Sequence, residues 1–123
     1  MTMSDIIHSA QKNDCSDIHL TVGIGITVRQ YGKLKRLNAD MSEAELERVI
    51  LDMCTDEQRQ FFAEGNDLDF AFQTEQGTRT RVNIYRNKGK VAACLRIMGS
   101  QIPNEELSNI TNINNLFSIN KKI

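Results

Sequence analysis

The chain contains little of what exported, membrane-spanning or fibrous proteins depend on. Its 123 residues include one proline, three cysteines and no tryptophan. The cysteines Cys15, Cys54 and Cys94 are odd in number and form no C-x-x-C pair, which favours reduced thiols over a disulfide framework or a zinc site. The N-terminus lacks the basic and apolar regions of a signal peptide, and no apolar run approaches a membrane span. These absences predict a cytoplasmic protein that neither crosses a membrane nor is exported by that route.

Sequence motifs for catalysis and for nucleotide binding are also missing. No G-x-x-x-x-G-K-[ST] loop occurs, and Gly23-Ile24-Gly25 lacks the third glycine and the helix start of a dinucleotide fingerprint. The two histidines, His8 and His19, stand on different predicted elements, and Asp17 with His19 makes neither a triad nor a metal site. We therefore predict no catalytic residues, metal or cofactor in this chain by itself, and a structural hydrogen-bonding role for His19.

Charge is nearly balanced overall but unevenly distributed. The formal net charge is −1, which gives no global field toward nucleic acid or an anionic membrane. Residues 79–96 nevertheless hold six cations and no acid, whereas residues 40–69 hold ten acids and two arginines. Any anion site should therefore be local, and it should lie on the basic segment.

The order of strand and helix patterns predicts the fold class. Apolar residues at every second position indicate three strands over residues 18–37 and three more over 68–97. Ser4 can cap a short first helix, and two sequences of capping-box form, Ser42-Glu43-Ala44-Glu45 and Thr55-Asp56-Glu57-Gln58, predict two helices in the middle. We expect an α+β domain, a PAS-like antiparallel sheet with helices packed on one face. Four phenylalanines have core spacing: Phe61, Phe62, Phe70 and Phe72.

One predicted hairpin contains the only arrangement that suggests chemistry. A two-residue turn at Lys88-Gly89 makes Asn87 face Lys90 and sets the register of the last two strands. Arg81 then lies directly opposite Arg96, and Arg79 lies opposite Met98. Two like charges that face each other across a sheet are mildly destabilising, so the pair requires an acidic neighbour or an anion. The first alternative is a pair of surface charges satisfied by acids of the helices; the second is a phosphate site built from the planar donor forks of arginine.

Four ordered segments carry a resemblance to a known family. They are Ser16-Asp17-Ile18-His19-Leu20-Thr21-Val22-Gly23-Ile24, Gly32-Lys33-Leu34-Lys35-Arg36-Leu37, Asp67-Leu68-Asp69-Phe70-Ala71-Phe72 and Arg79-Thr80-Arg81-Val82-Asn83-Ile84-Tyr85-Arg86. From about Ser4 to about Leu107 the chain resembles the N-terminal domain of PilT-type twitching-motility ATPases, within the type II secretion and type IV pilus motor ATPases. The family usually has two prolines where this chain has Gly25-Ile26, and residues 104–123 follow its linker only loosely.

The resemblance implies a function that the residues alone do not. It implies a PAS-like domain over residues 1–103 and a linker-like tail over 104–123, joined in such motors to a RecA-like ATPase domain that this chain lacks. It also implies assembly into a hexameric ring at the cytoplasmic side of the inner membrane, beside the pilus assembly platform, where ATP with Mg²⁺ drives pilus retraction. Arg81 and Arg96, with Arg79 adjacent, match the family's arginines that contact nucleotide phosphates in the full motor.

Two further hypotheses compete with this one. A stand-alone PAS-like sensor or regulatory module would bind a small ligand or protein partner, and a small ligand would need a pocket lined by polar residues. A nucleic-acid-binding module would bind through the basic hairpin with a steep salt dependence. The balanced charge weighs against nucleic acid, and so does the scarcity of aromatics near the hairpin, where only Tyr85 shares the outer face.

Overall fold

The computed structural model describes residues 1–38 and 40–99, which form three helices and six strands. Predicted features that lie outside these residues include the linker-like tail at 104–123 and the domain boundary before it. In chain order, the elements are α1 (Met3–Lys12), β1 (Cys15–Thr21), β2 (Gly25–Gln30), β3 (Lys33–Leu37), α2 (Glu43–Leu51), α3 (Asp56–Ala63), β4 (Leu68–Gln73), β5 (Arg79–Asn87) and β6 (Lys90–Gly99).

The six strands form one antiparallel sheet in the order β3-β2-β1-β6-β5-β4. Each half of the chain therefore makes three adjacent strands, and the halves are joined where β1 pairs with β6 at the centre. Helix α1 contacts β1, α2 contacts β1 and β6, and α3 contacts β4. The predicted α+β class with an antiparallel sheet is confirmed.

A single apolar core lies between the helices and one face of the sheet. Alternate residues of the central strands fill it, and Ile18, Leu20, Val82, Ile84 and Leu95 are each 0% exposed. The period-two pattern of the sequence arises because successive side chains of a strand point to opposite faces. The residues between these core positions therefore lie on the other side of the sheet, which we call the open face.

The last hairpin has the turn and the register that the sequence predicts. Lys88 and Gly89 both have positive φ, at 52° and 82°, as the type I′ turn of a two-residue hairpin requires. Asn87 pairs with Lys90, and Arg81 lies directly opposite Arg96. A tight turn fixes the register of every pair that follows it, so the pairing is confirmed as far as the first irregularity in the ladder.

That irregularity makes one predicted pair wrong. Thr80 pairs with Ile97 but Arg79 pairs with Gly99, so Met98 is an extra residue on β6 and does not face Arg79. A β-bulge of this kind leaves one residue unpaired and bends the strand. Met98 is 63% exposed.

Two other sequence-based expectations also need correction. The N-cap of α1 is Thr2 and not Ser4, because the Thr2 hydroxyl accepts from the Asp5 amide and the Asp5 carboxylate accepts from the Thr2 amide in a full capping box. Phe61, which has core spacing in the sequence, is 49% exposed, whereas Phe62 is buried. Consecutive helical residues point about 100° apart around the axis, so Phe62 faces the sheet while Phe61 points toward solvent.

The capping box of α3 leads to a test of local stability. The Thr55 hydroxyl accepts a 3.1 Å hydrogen bond from the Gln58 amide, and the Gln58 side chain accepts one from the Thr55 amide. We expect Thr55→Ala to lower the free energy of unfolding by about 1 kcal/mol, because one helix-end amide loses its acceptor. Urea denaturation measures this, and Thr55→Ser should remain near wild type. Equal stability of the alanine and serine variants would contradict the capping role.

Candidate functional site

Charged side chains cross the open face in a row that runs through adjacent strands. Residues directly opposite each other in an antiparallel ladder lie on the same face of the sheet. The register therefore aligns one residue from each strand, from β3 to β4: Leu34, Arg29, Asp17, Arg96, Arg81 and Ala71. Three arginines and one aspartate thus lie side by side on four neighbouring strands.

Arg81 is held by a carboxylate from the edge strand. Its Nε and Nη2 donate to the two carboxylate oxygens of Asp69 at 2.9 and 3.1 Å, although both side chains are more than half exposed. The hydrogen bond from Arg81 lowers the pKa of Asp69, and the same contact raises the pKa of Arg81. Two hydrogen bonds to one carboxylate therefore orient the Arg81 guanidinium.

Arg96 is held in a similar way by Asp17 on the other side of the row. Its Nε donates to Asp17 Oδ1 at 3.1 Å, and Arg29 Nε lies 3.6 Å from Asp17 Oδ2. Burial raises the pKa of Asp17, but hydrogen bonds from Arg96 and Ser16 outweigh that effect and keep this pKa below its ordinary value. The Asp17 side chain is 10% exposed and that of Arg96 is 72% exposed. A nearly buried carboxylate therefore holds a guanidinium group that remains accessible to solvent.

Three other cations of the basic segment divide into two kinds. Arg86 stacks over the Phe62 ring at 3.8 Å and donates to the Phe62 carbonyl, while Lys90 pairs with Glu43 at 2.7 Å. These two side chains hold the helices to the sheet. Arg79 is exposed on the open face, and it has no acidic partner among the described residues.

The source of the acidic partners differs from the sequence-based expectation. One alternative drawn from the sequence is that acidic residues of the helices neutralise Arg81 and Arg96. The acidic partners instead lie on strands, Asp69 on β4 and Asp17 on β1. Asp69 could have been found, since the alternation of β4 places it on the open face beside β5. Asp17 could not, because its contact with Arg96 depends on the pairing of β1 with β6, which no local pattern specifies.

Two other chemistry-bearing residues, His19 and Cys94, lie on the open face. His19 pairs with Cys94 across the sheet, but within residues 1–38 and 40–99 the His19 side chain makes no hydrogen bond, so its expected structural bond is not seen. Burial and the charge of Asp17 raise the pKa of Cys94, which keeps the thiol protonated and weakly nucleophilic. The described part of the chain contains no group of three metal-ligating side chains. None of its helices is both long and apolar enough to span a bilayer.

The chain is similar to motor proteins in both sequence and structure, although no protein-family model matches it. It is 29% identical over 103 residues to the type IV pilus retraction ATPase PilT of Pseudomonas aeruginosa, an alignment that covers 83% of the chain and 30% of that protein. A crystal structure of the pilus retraction motor PilT with bound ADP matches 84% of the chain and 31% of its own, with a TM-score of 0.72 at 30% identity.

The chain is similar to the N-terminal portion of PilT-type ATPases. The ATPase DotB of Legionella pneumophila shares the fold, with a TM-score of 0.68 at 24% identity over 84% of the chain and 31% of its own. The chain thus spans about a third of the length of these PilT-type relatives. The resemblance seen in the sequence is confirmed, and the roles of Arg79, Arg81 and Arg96 stay predictions.

Proposed function

We propose that this chain acts as the non-catalytic N-terminal domain of a PilT-type hexameric motor for type IV pilus retraction. In this role Arg81 and Arg96, with Arg79 beside them, contact the phosphates of ATP, which a RecA-like ATPase domain holds together with Mg²⁺. The same domain contributes surface between subunits of a ring at the cytoplasmic side of the inner membrane. The pilus assembly platform is the further partner that this proposal implies.

The observation that supports the proposal is the cross-strand arginine pair on an open face. Arg81 and Arg96 lie directly opposite each other, and their side chains are 64% and 72% exposed. Opposed residues of an antiparallel pair have Cα atoms about 4.5 to 5.5 Å apart, so two guanidinium groups can reach one phosphate chain. Charge-assisted hydrogen bonds from two arginines on rigid strands suit an anion with several oxygens.

Chemically, these residues supply binding and charge neutralisation and no bond-breaking group. Negative charge that develops on phosphate oxygens is stabilised by donors already fixed in place, and this is the usual contribution of arginine to phosphoryl transfer. The chain supplies Arg81 and Arg96, and the ATPase domain supplies the phosphate loop and the metal.

A graft tests the proposal directly. The chain is joined to the ATPase portion of P. aeruginosa PilT in place of the portion that it matches, and ATP hydrolysis is measured at several ATP concentrations. We expect the graft to hydrolyse ATP, and Arg81→Ala and Arg96→Ala each to lower kcat/KM by about 10- to 150-fold, since a charge-assisted hydrogen bond contributes about 1.5 to 3 kcal/mol.

Arg48→Ala is the matched control for both variants. Arg48 is also an exposed arginine paired with an aspartate, 2.9 Å from Asp52, but it lies on α2 and not on the open face. Its removal should leave hydrolysis unchanged. An inactive graft, or full activity of the doubly substituted Arg81→Ala and Arg96→Ala graft, would contradict the proposal.

A further inference from the structure

The two carboxylates of the open face contact the same side of their arginines. Asp69 accepts from Nε and Nη2 of Arg81, and Asp17 accepts from Nε of Arg96. A guanidinium has five N–H groups, one on Nε and two on each Nη nitrogen. A partner on the Nε side leaves the end of the group free, where each Nη nitrogen directs one N–H away from the side chain. That far end is the fork that matches two oxygens of a phosphate. Both arginines therefore bind an aspartate through the Nε side of the guanidinium and keep the two terminal Nη nitrogens available for an anion.

We propose that Asp17 and Asp69 are positioning residues that hold Arg96 and Arg81 with their terminal forks free for phosphate. This inference rests on the proposed function and adds two residues to it, which position the arginines while the arginines contact the phosphate. The aspartates touch the arginines and not the nucleotide. Fixing a long side chain before the ligand arrives removes part of the entropy cost of binding, which for arginine is large.

The charge balance of the row is consistent with an anion site despite the two acids. Asp17 lies between Arg29 and Arg96, so this group of three side chains retains one positive charge. Asp69 neutralises Arg81 only, and Arg79 adds a second positive charge at the end of the hairpin. The aspartates thus relieve the repulsion between Arg81 and Arg96 without cancelling the attraction of the face for phosphate.

The positioning can be measured on the chain itself by nitrogen–proton NMR spectra of the arginine Nε–H groups. A hydrogen bond to a carboxylate slows exchange of this proton with water, so the Arg81 and Arg96 signals should be sharp at pH 6.5. Asp69→Asn should speed exchange at Arg81 alone, and Asp17→Asn at Arg96. The control Asp52→Asn should affect neither, because Asp52 pairs with Arg48 through Nη1 on α2. Exchange rates of Arg81 and Arg96 that do not respond to the aspartate variants would overturn the inference.

The same variants in the grafted motor separate this inference from the proposed function. With both arginines present, we expect Asp17→Asn and Asp69→Asn to lower kcat/KM for ATP by about three- to tenfold, and Asp52→Asn to leave it unchanged. Loss of activity in the arginine variants with none in the aspartate variants would reject the positioning role and leave the proposed function intact. No loss in the arginine variants would reject the proposed function, whatever the NMR exchange rates show.

Discussion

Leu95→Ala should lower the free energy of unfolding by about 3 kcal/mol, within the usual range of 2 to 5 for a fully buried leucine. Leu95 is 0% exposed on β6, between Ile18 of β1 and Val82 of β5, which are equally buried. Truncation removes contacts with both neighbouring strands at the junction of the two halves of the sheet. A cavity there cannot be filled by a flexible surface side chain, so little of the loss should be recovered.

Urea denaturation of both proteins at one pH measures this change. Leu34→Ala is the matched control, since it removes the same atoms from a leucine that is 57% exposed on the edge strand β3. Its effect should stay within about 0.5 kcal/mol. Similar losses at the two leucines would mean that the sheet centre is not the main core.

The local parts of this fold could be predicted from the sequence because their causes are local. The Lys88-Gly89 turn fixes its hairpin through backbone conformation, and the register of Arg81 with Arg96 follows from counting. The Thr55 capping box sets the start of α3 through two short-range hydrogen bonds. In each case the residues that determine the feature lie within a few positions of one another along the chain.

The site could be predicted only in part because half of it depends on distant pairing. The Arg96–Asp17 contact joins residues on β6 and β1, at opposite ends of the domain sequence. Alternation places Asp17 on a strand face, but it does not say which strand lies beside it. The sequence does not predict the bulge at Met98 for a related reason, since no residue type marks the extra position.

The core and the candidate site are two sides of the same strands. Each arginine or aspartate of the row is followed or preceded by a buried core residue, as in Leu95-Arg96 and Asp17-Ile18. Packing on one face therefore fixes the backbone positions that the charged side chains need on the other. This is why side chains that are mostly exposed can still be held in a defined arrangement.

Stability should fall as the pH drops below about 6.5, and His8 should be the cause. His8 is 1% exposed on α1, and its Nε2 lies 2.9 Å from the Thr74 hydroxyl oxygen, which also accepts from the Thr78 amide. Burial lowers the pKa of His8 below 6.5, and the charge of Asp5 only partly opposes this. The folded protein thus keeps His8 neutral at a pH where the unfolded chain binds a proton.

The sign of the effect follows from proton counting. Above pH 6.5 neither state protonates His8, so its contribution to stability is complete. Between 6.5 and the lowered pKa the unfolded state holds the extra proton, and stability falls by up to about 1.4 kcal/mol per pH unit. The pKa values of Asp17 and Asp69 lie below 3.8, so their contributions are lost only in stronger acid. The interval from about 6.5 to 4.5 therefore reports on His8.

Urea denaturation between pH 7.5 and 4.5 measures this slope, and a His8→Gln variant provides the comparison. In His8→Gln the side chain has no proton to gain, so stability should change little with pH over this interval, even if its absolute value is lower. A His8→Gln protein that loses stability with acid as steeply as wild type would place the responsible proton elsewhere. The slope is the decisive quantity, since a packing defect lowers stability equally at every pH while a titrating group does not.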